Sequence, residues 1–161
     1  MKNYDAPWST SLIIISSLTT VFSLGIALGM VWKGGSIFPW LAFLPLALVI
    51  GSAPFTIRGY SITSEAIMVH RLFWTTQLPI AGLQSVQFNP KAMSGSIRTF
   101  GNGGMFSFAG FFRNKLLGSY QAFVTDPHRT VVLHYVSRTI VISPATPEEF
   151  VRDLGALGLA A

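Results

Sequence analysis

Hydrophobic positions follow two different rules along this chain, and the change comes near residue 54. Before it, apolar residues succeed one another with no period. No charge occurs between Ala6 and Trp32 or between Gly34 and Ile57, and Lys33 alone separates the two stretches. Hydrocarbon cannot hydrogen-bond a backbone, so a spanning segment must satisfy its own amides, as a helix does. Leu12 to Trp32 reaches about 31 Å at the helical rise, enough for a bilayer core of about 30 Å. Ser36 to Ala53, about 18 residues, is marginally long enough. The pattern predicts a polar lead over 1–10 and then a transmembrane hairpin over 11–53, with helices at 12–32 and 36–53 and a turn at Lys33-Gly34-Gly35. The competing reading is a pair of core helices in a soluble protein. A chain this short has little protein with which to enclose two helices that are apolar all round. Pro39 suits a first turn, whereas Pro45 should kink or shorten the second helix.

From Pro54 onward the period becomes two, which predicts strands. They fall at Phe55–Tyr60, Ala66–Leu72, Phe73–Leu78, Gln84–Phe88, Ser96–Phe100, Gly104–Phe112, Ser119–Thr125, Thr130–Val136 and Thr139–Ser143. The last three are the richest in β-branched and aromatic residues. Gly-Asn-Gly-Gly at 101–104 reads as a turn between strands, and Asp126-Pro127-His128-Arg129 and Ser137-Arg138 as hairpin links. Thr146-Pro147-Glu148-Glu149 has the form of a helix start: a capping threonine, proline at the first helical position and glutamate three residues after the cap. Phe150, Leu154 and Leu157 then recur at helical spacing, predicting a helix over 147–157. The fold class is α+β, with residues 54–161 forming an antiparallel meander closed by one amphipathic helix.

Half of the residues are hydrophobic and 11% are charged, against about a quarter charged in an ordinary soluble domain. The chain contains no cysteine, which excludes disulfides, thiolate metal sites and thiol nucleophiles. The three histidines have neither ligand spacing nor a carboxylate-rich setting, so no metal site and no cofactor is expected. The net charge is +5, and the basic residues are spread out. That suits a domain held near an anionic bilayer surface, whereas nucleic acid would call for a denser stripe. The head carries only Lys2, partly offset by Asp5, and no small-residue cleavage site follows the first apolar run, so this run is read as mature structure and not a signal peptide. Lys2, the amino terminus, Arg58 and Arg71 flank the outer ends of the hairpin and Lys33 its turn. The positive-inside rule then places both termini in the cytoplasm.

The ordered series Ser96-Ile97-Arg98-Thr99-Phe100-Gly101-Asn102-Gly103-Gly104, Gly110-Phe111-Phe112, Leu117-Gly118-Ser119-Tyr120, Phe123-Val124-Thr125-Asp126, Ile140-Val141-Ile142-Ser143-Pro144 and Pro147-Glu148-Glu149-Phe150 resembles the bacterial PH (pleckstrin-homology-like) domain family, in particular its membrane-tethered members. The likeness covers roughly residues 54–158. It implies a PH-like β-barrel or sandwich of about seven strands capped by a C-terminal helix, and a non-enzymatic role. It does not bring a phosphoinositide site, because the first strand-to-strand loop, Ser61-Ile62-Thr63-Ser64-Glu65, has no basic residue and one acid.

Candidate sites follow from the residues. Gly101-x-Gly103-Gly104 leads into a strand pattern, so it lacks the helix N-terminus that a phosphate-cradling loop uses. No Gly-x-Ser-x-Gly elbow or paired carboxylates mark a catalytic site. Phe106 and Phe108 should face the core, with Met105, Ser107 and Ala109 on the opposite face. Phe111, Phe112, Arg113 and Lys115 break the period and form the candidate contact for membrane or partner. Gly25 and Gly29 form a small-xxx-small helix-packing face, expected to pack within the hairpin in preference to forming a homodimer seam. The leading expectation is a binding or scaffold module at the cytoplasmic face of a bacterial inner membrane, with the lipid bilayer and a protein or peptide as partners. The alternatives are a self-associating, membrane-organising protein and a small membrane-bound enzyme.

Overall fold

A computed structural model describes residues 1–32, 38–41 and 43–157. Strand β1 (Lys2–Asp5) comes first, then helix α1 (Thr10–Trp32). Helices α2 (Phe38–Leu41) and α3 (Phe43–Ser52) follow, and a single 3-10 turn, Ala53–Phe55, ends the apolar region. The expected turn at Lys33-Gly34-Gly35 lies outside the described residues. Pro45 has no amide to give the carbonyl of Leu41, and it falls in the first turn of α3, where that loss is tolerated. Helix α1 lies against both α2 and α3.

The remaining chain forms β2 (Ile57–Ile62), β3 (Ala66–Arg71), β4 (Thr75–Pro79), β5 (Leu83–Phe88), β6 (Ile97–Gly103), β7 (Phe108–Asn114), β8 (Gly118–Val124), β9 (Val131–Tyr135), β10 (Thr139–Ile142) and helix α4 (Pro147–Gly155). One sheet has the order β1-β2-β3-β4 and the other β5-β9-β10-β8-β7-β6. There are more strands than the seven or so expected, and the second sheet is not a simple meander. Strand β10 inserts between β8 and β9 and runs parallel to β8, with Ile140 opposite Gln121. The segment 126–129 is therefore a crossover and not a hairpin link, whereas Ser137-Arg138 does join the antiparallel pair β9–β10.

Burial explains why β9 and β10 are almost continuously apolar. Val131, Leu133, Tyr135, Ile140 and Ile142 join Phe123 in the main core, packed with Tyr60, Ile67 and Val69 of the first sheet and with Phe150 and Leu154 of α4. Val132 and Val141 point the other way, into a smaller core with Ala92, Phe112, Tyr120, Ala122 and Val124. Strands covered on both faces lose the alternation of a half-exposed strand. Tyr60 crosses between the sheets. It is fully buried, donates to the Phe123 carbonyl at 2.7 Å and accepts the Ser143 amide at 3.2 Å. Burial pushes its phenol up to about 12.

Three further expectations need correction. Residues 2–5 are more than a lead: β1 pairs antiparallel with β2, Tyr4 opposite Tyr60. Gly59 allows this approach, since a Cβ there would sit 2.8 Å from the Tyr4 carbonyl oxygen. The 101–104 segment is not the turn. Gly101 to Gly103 continue β6, and the reversal occurs over residues 104–107 with Phe106 at φ 65°. Gly101 and Gly110 lie opposite each other at φ 102° and 145°, where a Cβ on Gly110 would fall 2.3 Å from the Phe100 oxygen. Thr146 makes no side-chain bond that caps α4; its carbonyl accepts the Phe150 amide, while Glu149 turns to Lys2.

Candidate membrane-facing site

The chain leaves the two-sheet body at Ser9 and re-enters it at Phe55, and both points are tied down. The Ser9 amide donates to the Thr125 carbonyl at 3.1 Å, and the Ser9 hydroxyl caps α1 by accepting the Leu12 amide at 3.2 Å. One turn further on, Ser16 accepts the Phe106 amide at 2.9 Å and donates to the Gly104 carbonyl. Ser107 donates to the Phe55 carbonyl at 2.9 Å. The β6–β7 turn thus holds the feet of both apolar segments. Because β1 and β2 are neighbours in one sheet, the two ends of the apolar insertion lie on the same side of it.

Above its foot, α1 has little protein around it among the described residues. Ile13, Ile14, Leu18, Val21, Phe22, Leu24, Leu28 and Val31 are exposed, as are Leu44, Leu48 and Ile50 of α3. Helix α1 is long and apolar enough to cross a membrane, with a mean hydropathy of 2.1. Its 23 residues reach about 34 Å. The buried positions along its length are Leu12, Ser16, Ser23 and Ala27. Gly25 and Gly29 lie on an exposed side, and a Cβ added to either meets nothing within 4 Å among the described residues. Among the described residues, the small residues buried on α1 are Ser16, Ser23 and Ala27.

Aromatic rings surround the feet. Trp8 lies 6.2 Å from Phe106, and Phe55 packs edge-on to Trp74 at 5.5 Å. Arg71 extends beneath them, with its guanidinium carbon 4.9 Å from the Phe123 ring, 5.5 Å from Trp74 and 5.7 Å from Phe55. It has no carboxylate partner among the described residues, and its Nε is buried without a hydrogen bond. Burial lowers its pKa from the ordinary arginine value. The Arg71 amide bonds to the Trp74 carbonyl at 2.9 Å, which leaves Leu72 and Phe73 as the hairpin tip. Phe73 is 75% exposed. Turn tips normally carry Gly, Asn, Asp or Pro, so Leu-Phe-Trp in that position is an apolar protrusion. The boundary between the strands expected at Ala66–Leu72 and Phe73–Leu78 falls on these aromatic residues, a signal already present in the sequence.

The contact expected at 111–115 separates by face. Phe112 is 4% exposed and belongs to the smaller core, stacked on Tyr120. Phe111 is 51% exposed, and Arg113 and Lys115 are exposed too. Phe111 stands opposite Phe100 and Arg113 opposite Ile97, so these four share one face of β6–β7. Sequence reading missed Phe100 and Ile97, because only the register reveals them as neighbours of Phe111. Phe108 packs against the smaller core from the same face of β7 as Phe112, as expected, while Phe106 is only partly buried and Met105, Ser107 and Ala109, expected on the opposite face, are buried too.

Polar side chains elsewhere serve local structure. His70 bonds Ser61 at 2.8 Å, and Asp126 accepts the His128 amide at 3.0 Å. Among the described residues no group of three His, Asp or Glu side chains could hold a metal ion. At the other end of the molecule Lys2 pairs with Glu149 at 2.7 Å and Asp153 at 2.6 Å, and Tyr4 donates to Asp153. These bonds hold both carboxylates below their usual range, and burial pushes the Tyr4 phenol up to about 12.

No curated protein and no solved structure matches the chain. The family described as bacterial PH domain matches residues 58–157, from the second residue of β2 to just past α4. Strand β1 and the apolar helices lie outside that match. With the greater part of its length inside the family's pattern, the chain belongs to the bacterial PH domain family, whose membership suggests a binding or scaffold module.

Proposed function

We propose that this protein is a membrane-anchored PH-like module of a bacterial inner membrane, with its domain held against the cytoplasmic face. In this reading α1 and the α2–α3 segment form a two-helix transmembrane hairpin, and the two sheets close into a PH-like barrel capped by α4. The observation that carries the reading is the pairing of β1 with β2 across an apolar insertion whose side chains stand largely uncovered. Soluble monomers rarely expose contiguous apolar patches above a few hundred Å². A signal peptide does not fit, since its removal would take β1 from the first sheet. The rings of Trp8, Phe55, Phe73 and Trp74 encircle the exit points, as tryptophans and other amphipathic rings do at bilayer interfaces. Arg58 and Arg71 near the outer ends, against Lys33 between the apolar stretches, favour the cytoplasmic side; Lys2 flanks the first stretch in sequence but pairs with α4. Membranes from expressing cells, washed in alkaline carbonate, should retain the protein; release into the supernatant would contradict the anchor.

The role is binding without catalysis. Of the four edge strands, β1 and β5 lie against α4 and β6 is interrupted by a bulge between Arg98 and Phe100 and by Gly101, which makes β4 the better edge for accepting a partner strand. A photocrosslinking residue at Gln77 should capture a specific partner in cells that one at Glu148 does not. Equal capture at both positions would contradict use of the edge.

Self-association is a second reading, favoured by the open space beside Gly25 and Gly29. Close helix approach at a small-xxx-small face needs that space unfilled. Leucine at both positions should abolish crosslinked dimers, and unchanged crosslinking would remove the reading.

A further inference from the structure

Between α3 and the outer side of β6 lies a cavity of about 430 Å³. Its walls are mainly apolar, formed by Leu48, Phe55, Phe100, Met105 and Ala109. The size and lining are those of a small-molecule site, and the polar groups are few. Two of them are used internally. Ser52 donates back to the Leu48 carbonyl at 2.7 Å, and Asn102 bonds both the amide and the carbonyl of Met105.

Arg98 differs from these. Its side chain lies over Gly103, where a Cβ would come within 3.0 Å of its Cδ, and its Nη1 donates to the Gly101 carbonyl at 3.1 Å. The glycine makes room for the side chain and the Gly101 carbonyl fixes the guanidinium, so that Arg98 lines both this cavity and the neighbouring one formed with Gly103, Phe108 and Phe112. No carboxylate pairs with it among the described residues, so donors remain for an anion. Two of its apolar lining residues, Leu48 and Phe100, are also exposed, and other exposed apolar residues follow in the same elements. Leu44 and Leu48 of α3 lie on one side and Ile97, Phe100 and Phe111 on the other.

We propose that this cavity holds an anionic phospholipid of the surrounding bilayer, with its phosphate on the Arg98 guanidinium and part of an acyl chain against Leu48 and Phe100. The inference rests on the membrane-anchored reading above and adds a lipid site to it. The location decides the occupant: a cleft at the foot of a lipid-exposed helix opens at the level where headgroups meet acyl chains. A cation there selects anionic over zwitterionic headgroups. The site is remote from the acidic loop between β2 and β3.

The test uses the full chain in nanodiscs of phosphatidylcholine doped with either photoactivatable phosphatidylglycerol or photoactivatable phosphatidylcholine, with mapping of the labelled peptides. Label on α1 and α3 reports the membrane contact. Label on residues 98–105 reports the cavity. Phosphatidylglycerol should label the cavity in preference to phosphatidylcholine. Arg98→Gln should reduce that preference about fivefold, the effect of one basic residue at headgroup depth. Gly51 lines the cavity and has no atom within 4 Å of an added Cβ, so Gly51→Leu can fill the space without strain and should block both probes. Label on the helices with none at 98–105 would overturn the lipid site and leave the anchor standing. A preference unchanged in Arg98→Gln, or crosslinks between copies through β6, would also overturn it. Absence of label on the helices would overturn the anchor and the site together.

Discussion

Tyr60 shows what a single side chain contributes at the meeting of the two sheets. Its hydroxyl satisfies the Phe123 carbonyl and the Ser143 amide in a fully buried setting. Tyr60→Phe keeps the ring and strands those partners, so it should cost about 1–3 kcal/mol in denaturant unfolding. A loss below a few tenths would mean the partners find other bonds. Sequence alone gave no reason to single out this tyrosine, because its partners are 63 and 83 residues away. The same limit applied at residues 111–115. Neighbouring phenylalanines differ in burial because strand alternation sends Phe112 to a core and Phe111 to the outside, and a second buried face of the sheet was not visible in any local period. Arg71 was read only as one more positive charge. Its setting among three rings depends on the hairpin that brings Trp74 back over it and on the return of Phe55 from the apolar segment.

At the scale of elements, the apolar helices, the C-terminal helix and most strands were legible because each rests on a local pattern. The insertion of β10 beside β8 was not, since strand order is set by long-range pairing. Glycine signals were present but ambiguous: Gly101 suggested a turn and Gly110 fell inside an expected strand, yet the two serve a cross-strand contact too close for any Cβ. Gly110→Ala should separate β6 from β7 at a cost of about 1–3 kcal/mol, read as lost stability and lost amide protection in both strands. Unchanged protection would show that the pair can adjust. Strand β1 was hidden by its short length and its distance in sequence from β2. Its hold on α4 depends on charge. Asp153 and Glu149 have folded pKa values below their ordinary 3.8 and 4.5, mainly through hydrogen bonds from Lys2. Their contribution is therefore present above those ordinary values and is lost as pH falls through the depressed ones. Hydrogen exchange at β1, corrected for intrinsic rates, should be protected at neutral pH and should lose protection on acidification. Lys2→Ala should already show the loss at neutral pH. Equal protection in Lys2→Ala and the parent protein would remove the ion pairs from the account.

For the whole molecule, the charge count and the strand pairing bear on two separate parts of the proposed arrangement, the side of the membrane and the common exit of the apolar segments. The first compares lysines and arginines at the two ends of the apolar segments. The second requires only that β1 and β2 share a sheet, which brings both ends of those segments to one face of the domain. Both support the proposed arrangement, in which a PH-family domain meets the bilayer through its β6–β7 turn and its aromatic hairpin tip. The absence of cysteine makes the arrangement directly measurable, because any introduced thiol is unique. Lys33→Cys, between the apolar stretches, and Glu65→Cys, in the β2–β3 loop, can be exposed to a membrane-impermeant maleimide in intact spheroplasts and again after permeabilisation. With the domain on the cytoplasmic face, Lys33→Cys should be labelled in intact spheroplasts and Glu65→Cys only after permeabilisation; labelling of Glu65→Cys in intact spheroplasts, or the same pattern at both positions, would contradict that placement.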